Sequence, residues 1–410
     1  MLGCRLCGGL VDELLDLGRQ PLANSFPRPD QTTDEFFYRL AMGACRDCSM
    51  MQLLEEVPRD LKYHDGYPYR ASGSATHRDH FTSVATNFLA RELSTKDAFV
   101  VEIGCNDGVM LARIAKAGVR HLGVEPAGGV AELAAAKGID VLREFFEEET
   151  AVRIRSTHGP ADVIFAANTI CHIPYADSLM RGVAALLKPG GIFVFEEPYL
   201  GTVINGMAFD QLYDEHFYFF TVRSVQSMAR RFGFELIDAE PTPLHGGSMR
   251  YTLALPGQRA RTANVRSLLA QEEELTKPDT YRRFRSAVER IRHDLVGLLE
   301  QLKQDGRTVV GYGAPGKVTT VTNYCGIGPD LVPYVCDSTP SKQHRLVPGT
   351  HIPVRPPDAF RDPYPDYALL FAWNHADEII AKEQAFLEAG GSWILYVPEV
   401  RVVRHVPAGR

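Results

Sequence analysis

Two cysteine pairs, Cys4-Arg5-Leu6-Cys7 and Cys45-Arg46-Asp47-Cys48, hold four thiols at a spacing that suits a metal ion. Each C-x-x-C turn aims two thiolates at one point, and two such turns supply the tetrahedral sulfur set that Zn²⁺ prefers. Gly8 and Gly9 follow the first pair, where the turn calls for a positive φ. A redox C-x-x-C needs no second pair, so Cys4, Cys7, Cys45 and Cys48 read as zinc ligands. Four sulfurs leave no position open for a catalytic water, which makes the metal structural. The other cysteines, Cys105, Cys171, Cys325 and Cys336, lack such spacing and read as semi-buried thiols.

A second concentration of chemistry is Tyr213-Asp214-Glu215-His216, followed by four further aromatics, Phe217 to Phe220. A buried aromatic strand with a hydrogen-bonded histidine is the simpler reading. Three ionisable groups among aromatics are costly to bury without a use, which favours a reaction site. His172, in Asn168-Thr-Ile-Cys-His172, fits either an acceptor-side residue or a helix cap. Tyr67 and Tyr69, in a turn-rich loop leading to Ser72 and Ser74, fit either a linker or a lid. His245-Gly246-Gly247-Ser248-Met-Arg250 suits contacts to an anionic or carbonyl group better than core packing.

These residues need elements to hold them, and from about residue 98 the pattern is regular β/α. AFVVEIG (98–104) is a continuously apolar strand, as in a parallel sheet covered on both faces. It runs into Gly104-Cys105-Asn106-Asp107-Gly108 and then a helical stretch. A second strand ends at Glu125, 21 residues after Gly104, and further strands read as DVIFAAN (162–168) and GIFVFEEP (191–198). Alternation of this kind implies an open doubly wound sheet with its ligand at the carboxyl ends of the strands. An acid at the position of Glu125 suits the ribose of either NAD or S-adenosylmethionine. The glycine turn separates them: Asp107 would repel a pyrophosphate but suits a cofactor with a cationic amino-acid moiety. Residues 263–304 read as two amphipathic helices with a break near Lys277-Pro278, leading to a second β/α unit. There Gly311-Tyr-Gly-Ala-Pro-Gly316-Lys317 matches G-x-x-x-x-G-K, but Val318 replaces the Ser/Thr that a P-loop places on Mg²⁺. This excludes an NTPase, while the loop and Lys317 still suit a diphosphate, with Asp337, Trp373, Asn374 and His375 as companions.

The chain has 410 residues, enough for two or three domains, with 45% hydrophobic and 23% charged residues. Its net charge of −7 argues against nucleic acid as a partner, since no basic surplus displaces phosphate counterions. Neither a membrane helix nor a signal peptide is read from the sequence, which predicts a cytoplasmic protein. No heptad or apolar stripe demands a dimer, so a monomer is expected.

With these parts in place, the chain resembles the zinc-containing, S-adenosylmethionine-dependent sugar C-methyltransferases of deoxysugar antibiotic biosynthesis. Within them it is most similar to the tetronitrose type acting at C-3′. The resemblance runs over essentially the full length. It is carried by the two cysteine pairs, Pro21-Leu-Ala-Asn-Ser25-Phe26, Glu102-Ile-Gly104-Cys-Asn106-Asp107-Gly108 and Tyr213-Asp-Glu-His216-Phe. The His245–Arg250, Gly311–Lys317 and Trp373-Asn374-His375 segments complete it. It implies an α/β protein with a zinc-binding module (1–75), a class I methyltransferase, Rossmann-like middle domain (76–256) and a second Rossmann-like domain (257–410). It further implies that the last two domains bind a dTDP-linked 3-amino-4-keto sugar between them. Gly104, Asn106, Asp107, Glu125 and Asn168 are then expected at the cofactor. His245, Ser248, Arg250, Lys317 and Asn374 are expected at the sugar nucleotide. Methylating carbon requires a carbanion, which a C-4 ketone stabilises as an enolate. His216 is expected as the base, oriented by Glu215, with Tyr213 or His172 at the enolate oxygen and Tyr67 closing the site. An NAD-dependent keto-sugar oxidoreductase and a non-catalytic nucleotide-sugar binding protein are the alternatives.

Overall fold

The computed structural model describes residues 3–65, 67 and 69–404, and its strands form three sheets. The first sheet is antiparallel, in the order Val11–Pro21, Phe37–Cys45, Met51–Leu53, Tyr218–Phe219. Its last strand arrives from far along the chain: Met51 pairs with Phe219 and Gln52 with Tyr218. Phe37–Cys45 is buried almost throughout rather than on alternate residues. The helices Pro278–Gln304 and Lys317–Cys325 pack against this sheet, so it is a covered layer and not a solvated one.

The middle sheet has seven strands in the order Glu235–Thr242, Ser248–Ala254, Leu187–Pro198, Ala161–Ala167, Phe99–Ile103, Arg120–Val124, Val141–Leu142. Ser248–Ala254 runs antiparallel to both neighbours and the remaining pairs are parallel. The chain winds outward from Phe99–Ile103 in one direction, then returns to Ala161–Ala167 on its other side. The carboxyl ends of those two strands therefore flank a topological switch point, where such sheets bind ligands. Phe99–Ile103 is buried at every position, which explains its unbroken apolar run.

The third sheet runs Val354–Arg355, Val335–Cys336, Val309–Tyr312, Tyr367–Leu370, Ser392–Leu395, Arg401–Arg404, parallel except for the last pair. Its switch point lies between Val309–Tyr312 and Tyr367–Leu370, which places the Gly313–Lys317 loop beside Trp373–His375. The strand that follows the glycine loop and its helix is short, Val335–Cys336. Pro333 carries no amide hydrogen, and Leu331 is held in a turn by Gly328. The helices before this sheet break as expected, into Ala263–Gln271 and Pro278–Gln304 with Pro278 in the first turn. No helix among the described residues is long and apolar enough to cross a membrane.

Candidate functional site

One cavity of about 980 Å³ reaches both switch points. Its walls include Gly104, Asn106, Glu125 and Asn168 from the middle sheet. Tyr67, His172, Tyr213, Glu215, His216 and His245 join them, and Lys317 and Asn374 come from the third sheet. Asp107, Ser248 and Arg250 stand outside that wall.

The glycine turn forms its floor at one end. Gly104 has φ +68°, and a Cβ there would lie 2.3 Å from Thr169 Oγ1. Asn106 also occupies the left-handed region, at φ +50°, as does Asn168 at +48° on the neighbouring strand end. Strained residues on both sides of a switch point mark backbone held for a purpose. Glu125 accepts from the Asn106 and Ala127 amides, each at 2.9 Å. Glu102 is buried at the same turn, and its Oε2 has no partner among the described residues. Burial, reinforced by Asp107 and Glu125, pushes the Glu102 carboxyl well up. Asp107 itself is engaged by the Ser72 hydroxyl and Lys137. The loop over the turn is pinned where Ala71 N–H donates to Asn106 Oδ1 (2.9 Å) and Asn106 Nδ2 donates to the Tyr69 carbonyl (3.2 Å). Gly66 and Pro68 of that loop lie outside the described residues. A cationic ligand would favour the ionised form of the buried carboxyls around this turn, which a diphosphate would oppose. Gly104→Ala is expected to lower stability by about 1–2 kcal/mol from the left-handed backbone alone. Thr169→Ala beside it, which removes both Oγ1 and Cγ2, should recover the part due to crowding; a denaturant midpoint unchanged in Gly104→Ala would refute this.

Also lining the cavity, Tyr213, His216, His172 and Tyr63 form a ladder of rings. Tyr213 and His216 have centroids 4.3 Å apart, His216 and His172 stack at 5.4 Å, and His172 and Tyr63 at 5.7 Å. His216 Nδ1 lies 2.9 Å from the Gln211 carbonyl, which only accepts, so Nδ1 carries the proton. Tyr213 Oη then donates to His216 Nε2 at 3.0 Å. Burial pushes His216 down to about 4 and Tyr213 well up, so a free imidazole faces a protonated phenol. Gln211, not Glu215, orients His216. Glu215 instead accepts from Tyr67 Oη (3.0 Å) and Asn24 Nδ2 (2.7 Å). The segment is fixed from behind: Tyr218–Phe219 joins the first sheet, Tyr218 Oη donates to the Pro174 carbonyl, and Thr221 begins the helix Val222–Arg231 with a capping box. His172 Nε2 is buried without a partner among the described residues.

Lys317 Nζ donates to Asn374 Oδ1 (3.0 Å) and lies 4.2 Å from the Trp373 ring centroid. Asp337 accepts from the Ala314 and Thr339 amides, tying the Gly313–Lys317 loop to the next strand end. Lys342, which sequence reasoning missed, donates to the Ala314 carbonyl and lines the same wall. His245 lines the cavity with its ring 4.8 Å from that of His77. Ser248 is turned to the Leu244 carbonyl, and Arg250 pairs with Glu196, which also meets His80. Sequence reasoning also missed Glu102, Tyr63, Gln211 and Asn24. Glu102 was legible as the acid two residues before the glycine, and Asn24 lies in the Pro21–Phe26 segment; Tyr63 and Gln211 have no local signal.

The four paired cysteines gather as expected, with Sγ atoms all within 4.8 Å of one another. The two knuckles are built alike: Gly8 (φ +78°) follows Cys7 and Ser49 (φ +60°) follows Cys48. The Gly9 and Asp47 amides each donate to a sulfur, of Cys7 and Cys45, at 3.4 Å. Such N–H···S bonds steady thiolates around a metal, and the donor set fits Zn²⁺.

Three family models match in succession. "Putative zinc binding domain" covers residues 4–63, "Methyltransferase domain" 75–239 and "C-methyltransferase C-terminal domain" 243–398. The C-methyltransferase NovU of Streptomyces niveus is 34% identical over 409 residues, covering 98% of this chain and 96% of that protein. A ubiquinone biosynthesis O-methyltransferase of Burkholderia thailandensis is 27% identical over 169 residues, 38% of this chain and 72% of its own. A crystal structure of a SAM-dependent methyltransferase from Anabaena variabilis aligns at 17% identity and a TM-score of 0.35, over 42% of this chain and 84% of that one.

Proposed function

The chain belongs to the C-methyltransferase family, and from that premise we propose that it methylates C-3′ of a dTDP-linked 3-amino-4-keto-2,3,6-trideoxysugar, in antibiotic deoxysugar biosynthesis of the tetronitrose type. Its cofactors are S-adenosyl-L-methionine in the middle unit and structural zinc at the four cysteines. One observation carries the reading: a single cavity joins an acidic glycine turn, a free imidazole beside a phenol, and a lysine-bearing loop. The division into 1–75, 76–256 and 257–410 as zinc, methyl-donor and nucleotide-sugar units belongs to the same proposal, as does a cytoplasmic monomer.

When bound, S-adenosylmethionine supplies an electrophilic methyl group. Glu102, Gly104, Asn106, Glu125 and Asn168 would hold it, with Asp107 acting through the loop it anchors at Ser72. His216 Nε2 takes the C-3 proton, and the neighbouring Tyr213 hydroxyl turns to the enolate oxygen, where His172 is the second donor. Opposite pKa displacements in one pair assign the roles: the imidazole stays unprotonated and the phenol keeps its proton. Tyr67, held by Glu215, closes the sugar end. Lys317, Asn374 and His245 meet the nucleotide-sugar side, while Ser248 and Arg250 support that wall from behind.

The test is mass spectrometry of keto-sugar nucleotides incubated with enzyme and S-adenosylmethionine. A gain of one CH₂ on the C-4-keto, C-3-amino member is expected; no gain on any member overturns the proposal. Because His216 is pushed down to about 4, its imidazole protonates only as pH falls through that value. Its ¹³C resonance, assigned by its loss in His216→Asn, is expected to show no titration between pH 5.5 and 8. A midpoint near the free-imidazole value would remove the argument for His216 as a ready base.

A further inference from the structure

Asn24 stands where all three parts of the chain meet, and we infer that it is a positioning residue joining the Lys317 loop to the Glu215–Tyr67 pair. The inference rests on the reaction proposed above and adds to it a residue outside both Rossmann-like units. Asn24 lies between the two cysteine pairs, on the turn after the strand Val11–Pro21, and it lines the cavity. Its Nδ2 donates to Glu215 Oε1 at 2.7 Å, while Glu215 Oε2 accepts from Tyr67 Oη at 3.0 Å. One carboxylate thus receives a bond from each of two cavity-wall side chains.

The backbone beside Asn24 is fixed from both directions. Ala23 N–H donates to Asp214 Oδ1 at 2.8 Å, and the Ala23 carbonyl accepts from Thr319 Oγ1 at 2.9 Å. Thr319 lies in the helix Lys317–Cys325, two residues after Lys317. At the start of that helix a Cβ on Gly316 would come within 3.3 Å of Asn24 Nδ2, so the loop and the carboxamide are in close approach. A shift of the Lys317 loop on taking up an anionic group would therefore bear on Asn24, and through it on Glu215 and Tyr67. This places the end of the cavity that holds the nucleotide in mechanical contact with the end that reacts.

The test is steady-state kinetics of Asn24→Ala, Glu215→Ala and the double variant. Asn24→Ala is expected to lower kcat about tenfold, with KM for S-adenosylmethionine within twofold of the parent. In the Glu215→Ala background it should have almost no further effect, because the acceptor of its bond is already gone. Additive losses, or kcat within twofold of the parent in Asn24→Ala, overturn the inference. If the parent methylates no sugar in the panel, the functional reading has failed on its own. The contact is then read by deuterium exchange of residues 213–217, expected to quicken at least threefold in Asn24→Ala; parent-like exchange overturns it.

Discussion

Replacing His216 by asparagine is expected to lower kcat by about 10²–10⁴-fold, the range lost when a positioned general base is removed. Asparagine keeps an N–H donor for the Gln211 carbonyl, which now receives the Nδ1 proton, but offers no basic nitrogen toward Tyr213. Affinity for S-adenosylmethionine, measured calorimetrically, should stay within about twofold, since the glycine turn is built from other residues. Exchange of the C-3 hydrogen with D₂O in the absence of methyl donor should be lost in parallel with turnover. Retention of kcat within threefold would move the base elsewhere. Tyr213→Phe is the paired variant: it removes the donor and leaves the imidazole, so its loss should fall on turnover but spare donor binding.

Removal of zinc has the second large effect, and it reaches beyond the metal. Cys45 ends the strand Phe37–Cys45, and Cys48 precedes Met51–Leu53, whose other edge pairs with Tyr218–Phe219 just after His216. Leu53 N–H also donates to the Phe217 carbonyl at 2.9 Å. Bound metal would thus fix the register of a strand that in turn positions His216. Structural zinc binds small modules with about 10–16 kcal/mol of apparent free energy, comparable with the whole stability of many domains. Cys45→Ser or Cys48→Ser is expected to abolish stoichiometric zinc, to lower the melting temperature by at least about 10 °C and to remove turnover. Atomic absorption with circular dichroism melts would check it. A zinc-free variant that melts with the parent would show that the sheet stands without its metal.

The parts legible in the sequence were those written in a few consecutive residues. The apolar run 98–104, the glycine turn and the paired cysteines each declare a local geometry, and the structure builds each nearly as read. Glu125 faces the turn because a strand end 21 residues later in a β/α unit has few other places to go. The partners of Glu215 were illegible, since they lie far away in sequence. Glu215 reads as the neighbour of His216, yet adjacent residues on an irregular segment point apart. Its bonds go to Asn24 and Tyr67, more than a hundred residues earlier. Arg250 and Ser248 carried the right chemistry for an anion. Arg250 answers a buried carboxylate, Glu196, that its strand neighbour places opposite, and Ser248 answers a backbone carbonyl.

The strand Tyr218–Phe219 also bears on how the protein is cut. A fragment ending near residue 75 would keep all four cysteines but leave the outer edge of Met51–Leu53 bare, with its amides and carbonyls open to any passing strand. A fragment starting near residue 76 would carry two unpaired residues beside its histidine. Neither piece is a bead that can be shuffled between chains; the gene must travel whole, or the graft must carry the borrowed strand with it.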